Sequence, residues 1–504
     1  MKNRKFFVFA LAAILLLTVI LSACSGTSEG GSKTGTGEGK AAAPTKITML
    51  VPYFSTEPPT DDNVVVVEAE KRTNTDLKIT WSPVATYEEK VNVTLAGGDL
   101  PDLITVLNPF TPQVRKLVQQ GAFWDLTPFF KDYPNLMKFP EETYTNTKMQ
   151  DGKNYGIPRV RPTEGGGQFP YIRKDWLDKL GLPVPETLDD LYQVMKAFAN
   201  NDMGGNGNTI ALAGPLDFVY NVMNGTSGWF MVKDGQLVHA MLEPGTRDAL
   251  VWLNKAYKEK LIPQDFPALK FITARDMMAA GKVGIFSDTV AEAWRTHQEQ
   301  LKVNPKADFL PLVSLTGPFG PYNFRDTGHY GMHMIPKSVP EKKVRAILQF
   351  MDYGASDEGA ELGSYGFKGI HFTEENGMKL TTEQAMKDNV SQQAFGQLFI
   401  NYDKYMRAYF AGMPPEILER NKQIIDARAE ISVPDPASGL YSETKVTVGP
   451  EYDKKIDDLR TKIIMGKAPI EAWDTFTDEL RKDPKFQKMI QELNDSYQKR
   501  VKGQ

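Results

Sequence analysis

The chain has a single cysteine, Cys24, in 504 residues. No internal disulfide can form, so a large apolar core has to stabilise the fold unaided. Histidine is nearly as scarce, and of the five only His329 and His333 stand four apart. Gly328 and Gly331 disfavour a helix there and no Glu lies between the two, so the zinc-binding H-E-x-x-H arrangement is not met. Neither sign of charge dominates: 59 Lys and Arg against 63 Asp and Glu leave −4. That excludes the basic field that nucleic acid or an anionic lipid surface would require. Phosphate loops are missing too, because Lys40, Lys282 and Lys467 follow glycine but precede no Ser or Thr. ATP hydrolysis by a P-loop is therefore not expected of this chain. Only one long apolar run occurs, Phe6 to Leu21, and it is shorter than the roughly 20 residues that span a bilayer as a helix.

That run has a function of its own. Lys2, Arg4 and Lys5 precede it and Leu21-Ser22-Ala23-Cys24 closes it, the layout of a secretory signal over residues 1–23. Leu-Ser-Ala-Cys resembles the lipobox of bacterial lipoproteins, whose cysteine is acylated before cleavage. The resemblance implies lipidation (palmitate) at Cys24 and a protein anchored to the cell membrane on its extracytoplasmic face, since two or more acyl chains hold where one would not. Residues 24–46 are Gly, Ser, Thr and Lys with little to bury, a flexible linker. The Gly26-Thr27-Ser28-Glu29-Gly30 stretch inside it matches G-x-S-x-G in letters only, because no strand-to-helix turn can form there to present the serine.

Length beyond about 250 to 300 residues favours two or more cores. Ile47–Val51, Leu77–Trp81 and Leu103–Leu107 read as strands, with helices from Asp61 or Asp62 to Lys71 and from Tyr87 to a stop at Gly97-Gly98. Apolar strands alternating with helices predict a parallel sheet covered on both faces, an α/β lobe. Ligands collect beyond the carboxyl ends of such strands. Gly165 to Gly167 form one expected hinge and Gly317 to Pro321 another. Tyr171 to Leu177 and a capping box at Thr187 and Asp190 open a second lobe. Glu451 to Lys499 is strongly helical in pattern.

Gly97-Gly98-Asp99-Leu100-Pro101-Asp102, Asp125-Leu126-Thr127-Pro128, the stretch Asp151 to Pro158 and Tyr171-Ile172-Arg173-Lys174-Asp175-Trp176-Leu177 occur in a specific order. Ala279 to Phe286, Ile335-Pro336-Lys337, Ser364-Tyr365-Gly366 and Trp473 continue it. The series resembles the long carbohydrate-binding lipoprotein branch of extracellular solute-binding protein family 1. The resemblance implies a two-lobed, periplasmic-binding-protein-like α/β fold of type II, with the ligand cleft between lobes and a helical C-terminal part. It implies discontinuous domains: residues 47–162 with about 317–375 in lobe 1, and about 163–316 with 376–504 in lobe 2. It also implies a monomeric, non-catalytic receptor that hands a carbohydrate, an oligosaccharide above all, to the permease subunits of an ABC transporter. The rivals are a surface carbohydrate-active enzyme and a receptor of the same fold for a non-sugar solute such as a peptide.

A sugar cleft needs aromatic rings for C–H faces and amide, carboxylate or guanidinium groups for hydroxyls. Loop and strand-end positions offer Tyr53, Phe54, Asn108, Arg161, Tyr171, Arg173, Trp229, Asp288, Trp294, Tyr322, Tyr330 and Tyr365. No catalytic residue, metal ligand or cofactor is expected. Asp202-Met203-Gly204-Gly205-Asn206-Gly207-Asn208 partly resembles a calcium loop, but Gly204 replaces the second oxygen ligand and Ile210 stands where another would be useful. A plain Asn/Gly turn is the expectation.

Overall fold

The computed structural model describes residues 43–375, 377–410 and 413–502. The signal segment, Cys24 and nearly all of the linker lie outside the described residues. Among those described, no helix is long and apolar enough to cross a membrane.

The chain passes first through β1 (Thr45–Tyr53), β2 (Thr75–Pro83), β3 (Leu103–Val106) and β4 (Gly156–Val160). It then lays down β5 (Phe169–Arg173), β6 (Ile210–Ala213), β7 (Phe230–Lys233), β8 (Gln236–His239), β9 (Val283–Asp288), β10 (Phe309–Pro311), β11 (Leu315–Gly317) and β12 (Gly320–Phe324). It returns as β13 (His329–Met334). One sheet has the order β2-β1-β3-β13-β4 and a second the order β10-β5-β9-β6. In the first, β1 runs parallel to β2 and β3 while β13 is antiparallel to β3 and β4. In the second, β6 and β9 are parallel and β5 is antiparallel to β9.

Local chemistry sets these elements. The helix Val64–Thr73 starts where the Asn63 side chain accepts from Val65 N, so Asn63 caps it instead of either aspartate before it. Helix Val84–Gly97 follows β2 directly and ends at Gly98 with φ 77°, the left-handed stop expected of the Gly-Gly pair. Thr187 and Asp190 form the reciprocal capping box. The C-terminal region is helical over Glu443–Ile464, Glu471–Lys482 and Pro484–Val501.

Two cores follow the two sheets. Ile47, Leu103, Ile157, Ile335 and Leu348 pack with Phe395 and Phe399. Phe169, Leu212, Leu253 and Ile285 pack with Leu315 and Tyr322, and take up Ile456, Trp473 and Phe486 from the C-terminal helices. Residues 315–322 thus share the second core and residues 385–399 the first.

Three segments cross between the lobes. Arg161–Gln168 joins β4 to β5, and Arg325–Gly328 joins β12 to β13. The third lies around Arg407. Gly317–Gly320 is instead the tight end of a hairpin packed on Val222, where a Gly317 Cβ would sit 2.1 Å from the Val222 carbonyl oxygen. The second expected hinge is therefore displaced to Arg325–Gly328. Glycines 165 to 167 do lie on a crossing segment, and close approach requires them. A Cβ would meet the Ile425 carbonyl oxygen at 2.2 Å, Arg407 Cβ at 2.8 Å and the Phe324 ring at 2.9 Å respectively. Beneath them the buried Arg428 donates to the carbonyls of Gly165, Gly167 and Leu312.

Candidate functional site

The crossing segments identify the facing edges of the lobes. In lobe 1 they leave from the end of β4 and enter at the start of β13, which is also the carboxyl end of β1 and β3. In lobe 2 they join the start of β5 and the end of β12, beside the carboxyl ends of β6 and β9. Both parallel ladders thus present their carboxyl ends to one cleft, where open α/β sheets place ligands.

On lobe 1 this edge carries Tyr53, Phe54, Asn108, Arg161 and Tyr330. A bulge in β13 between His329 and Met332 re-aims the strand. Gly331 makes it possible, because at φ 87° a Cβ would lie 2.4 Å from the Val106 carbonyl oxygen. Tyr330 is left 42% exposed, with the Phe54 ring 6.3 Å away. The guanidiniums of Arg159 and Arg161 stand 5.3 and 5.9 Å from the Tyr330 ring. Val84, Ala85, Glu88, Glu89, Leu107 and Tyr330 enclose a hollow of about 300 Å³. Tyr53 is half-buried at the end of β1, and Asn108 is exposed beyond β3.

On lobe 2 the edge holds a hollow of about 140 Å³ lined by Gln168, Pro215, Asn221, Ser287 and Phe324 among others. Asp288 ends β9 there, but both its oxygens are engaged. Oδ2 accepts from Arg275 Nη2 at 2.6 Å and Oδ1 from Thr289 N at 2.8 Å. Burial pushes its carboxyl above the usual range, against the pull of Arg275. Asp288 therefore serves to hold Arg275.

Several expected site residues are structural. Tyr171 is a core residue, its ring against Phe286 and Phe309 and its hydroxyl on Thr296. Tyr322 is equally buried and bonds Ser227, and it forms part of the wall of the lobe 2 hollow. Arg173 lies at the opposite end of β5 from the cleft, paired with Asp175 at 2.7 Å and stacked on Trp176. Trp294 is buried, edge-on to His297 at 5.0 Å. Trp229 is half-buried between His239 and Arg460, not a free platform. In each case the side chain packs against protein neighbours, which for the aromatic rings is the commoner use.

Tyr365 lines a separate groove of about 590 Å³ formed with Met378, Tyr402, Tyr405, Tyr409 and Lys422, among others. In it Lys379 pairs with Glu361, Lys422 stands over the Tyr405 ring, and the Tyr405 hydroxyl donates to Asp426 behind it. The loop at Asp202 is likewise closed on itself. Oδ2 accepts from Gly207 N and Oδ1 from Thr209 Oγ1, both at 2.8 Å, and the Gly207 amide leads the pull of the Asp202 carboxyl below its usual range.

Sequence reasoning passed over Arg159, Asp326, Gln397 and Arg407. Arg159 sits inside a strand that reads as buried, and Gln397 comes from a segment 238 residues away. Only the return of the chain joins them.

The fold and cleft define a two-lobed solute receptor of the α/β type. Residues 56–361 match the family described as bacterial extracellular solute-binding protein, and the chain belongs to it. Lipoprotein LipO of Bacillus subtilis (strain 168) is 30% identical over 96% of this chain and 97% of its own. Polygalacturonan/rhamnogalacturonan-binding protein YtcQ of the same organism is 29% identical over 92% and 93%. A solved structure of an HMO binding ABC-transporter associated solute binding protein from Bifidobacterium longum infantis ATCC 15697 superposes with TM-score 0.70 at 18% identity, covering 90% of this chain and 98% of that one. The protein is a binding protein and not an enzyme.

Proposed function

We propose that this protein is the capture subunit of an ABC importer, tethered through an acylated Cys24 to the outer face of the cell membrane as a monomer. It takes up an oligosaccharide between its lobes and passes it uncleaved to membrane permease subunits. The observation that carries the reading is the exposed Tyr330 ring, flanked by Phe54 and two guanidiniums, at the edge where the crossing segments leave lobe 1. An aromatic face beside fixed donors is what a sugar ring requires, a C–H surface and hydroxyls together. YtcQ, a relative over nearly its whole length, is described as a polysaccharide-binding protein, and LipO as a lipoprotein.

We divide the lobes by their cores: residues 44–162 with 329–402 in lobe 1, and 169–324 with 413–502 in lobe 2. Ligand touches both lobes only when they close, so its differential affinity for the closed form shifts the population. The permease reads that form. The loop at Asp202 lacks a side-chain oxygen at Gly204, and its carboxylate closes the turn on Gly207 and Thr209, which supports a plain turn there.

The test is a thermal-shift panel of oligosaccharides followed by analysis of the recovered sugar. Capture raises the melting temperature with ligand concentration by mass action and returns the sugar intact. Cleaved products would contradict it.

A further inference from the structure

Three guanidiniums converge where the crossing segments meet lobe 1. Arg407 Nη1 donates to Asp326 Oδ2 at 2.7 Å and is balanced by it. Among the described residues, Arg159 and Arg161 have no such partner. Arg159 spends Nη1 on the Tyr330 carbonyl at 2.7 Å and Nη2 on Gln397 Oε1 at 2.6 Å, both neutral acceptors. Its Nε is buried without a partner, and the side chain is only 1% exposed. Arg161 Nη1 donates to the Val160 carbonyl at 2.8 Å and Nη2 reaches the same Gln397 oxygen at 3.5 Å. A guanidinium carries five N–H donors, so the half-buried Arg161 keeps donors to spare.

Two cations side by side, with only Asp326 near and already bound, are an uncompensated charge in a poorly solvated place. Such an arrangement is unfavourable unless an anion completes it, because the desolvation of each cation is left uncompensated. Burial pulls the Arg161 guanidinium down to about 9, helped by Arg159 and Arg407, so it remains charged at neutral pH. The neighbouring imidazoles stay neutral: burial takes His329 down to about 4 and His333 well below its ordinary value. Neither therefore adds to the charge, and Glu88 and Glu89 are exposed on the rim rather than paired with it. In the 590 Å³ groove beside Tyr365, by comparison, Lys379 is paired with Glu361 and Lys422 stands over the Tyr405 ring.

We propose that the cleft takes an acidic oligosaccharide, one bearing uronate carboxylates, with a carboxylate received by Arg161 beside Arg159 and the sugar face laid on Tyr330. The proposal rests on the capture function above and names its ligand class. A planar carboxylate matches the fork of a guanidinium with two charge-assisted hydrogen bonds, which a hydroxyl cannot supply.

The experiment is calorimetric titration of the full chain in detergent micelles with short oligogalacturonates, short oligoalginates, the methyl esters of the former and neutral galacto-oligosaccharides. The methyl ester keeps the skeleton and removes the charge. At least one uronate oligomer should bind, with affinity that weakens as salt rises and is at least tenfold above that of its ester. Arg161→Gln should lose at least tenfold more affinity for the acid than for the ester and keep or raise the unliganded melting temperature, which shows that the fold survives. Equal affinity for acid and ester, binding of neutral sugars only, or an Arg161→Gln variant that binds the acid normally would overturn the ligand class and leave the capture function standing. Absence of binding to any sugar would overturn both.

Discussion

Arg407 Nη1 and Asp326 Oδ2 lie 2.7 Å apart, so the crossing segment around Arg407 is tied to the one that joins β12 to β13 by a partly buried ion pair. The same arginine's Cβ rests against Gly166 of the first segment. One side chain thus touches all three connections on which the lobes turn.

Removing it should loosen the connections more than the lobes. Arg407→Met is expected to cost about 1–3 kcal/mol in urea unfolding, the range for a hydrogen bond to a charged group. It should also weaken ligand affinity, because the bound geometry is less well defined. A variant with unchanged stability and unchanged affinity would remove the ion pair from the account.

Gly165 and Gly152 share a left-handed backbone, at φ 69° and 79°, but not their surroundings. A Cβ at 165 would lie 2.2 Å from the Ile425 carbonyl oxygen, whereas at 152 nothing lies within 4 Å. Gly152→Ala should therefore cost about 1 kcal/mol, the strain of the conformation alone. Gly165→Ala should cost clearly more, by about 1–3 kcal/mol, because backbone must move as well. Equal melting temperatures for the two variants would contradict the packing at the crossing.

Four histidines held neutral by burial make stability pH-dependent. Burial takes His239 down to about 3 and His329 to about 4, lowers His297, and lowers His333 well below its ordinary value, with Arg159 and Arg161 adding to the last. In the unfolded chain each binds a proton near pH 6.5 while the folded form does not, so the unfolded state holds more protons below that pH. Stability should fall as pH drops from about 6.5 toward 4, by up to about 1.4 kcal/mol per pH unit for each histidine. Urea midpoints at pH 7, 6 and 5 read this directly. A flat profile would show that the imidazoles are solvated.

Tyr330→Ala should lower sugar affinity about tenfold or more while the melting temperature barely changes, since the ring is 42% exposed. Tyr322→Phe should do the reverse: it loses the bond to Ser227, about 1 kcal/mol of stability, and leaves affinity alone. Calorimetry paired with thermal unfolding separates them, and an affinity loss at Tyr322 would return that residue to the site.

These strands and caps were legible because their signals are local. Ile47–Val51, the Gly97-Gly98 stop and the Thr187–Asp190 box each depend on residues a few positions apart. The cleft was half legible. Tyr53, Phe54, Asn108, Arg161 and Tyr330 stand at strand ends, as a parallel sheet requires. Tyr171, Arg173, Trp294 and Tyr322 have the same chemistry and equally plausible positions, yet pack inward. Which way a ring turns is decided by partners such as Thr296 or Ser227, more than 90 residues distant. Arg159 and Gln397 meet only because the chain returns to lobe 1 after building most of lobe 2, a relation no window of sequence contains.

Small-angle X-ray scattering of the chain with and without a saturating oligosaccharide tests the central claim most directly. Capture by closure predicts a smaller radius of gyration in the bound state and full recovery of the intact sugar afterwards. An unchanged radius at saturation, or recovery of shorter fragments, would contradict it.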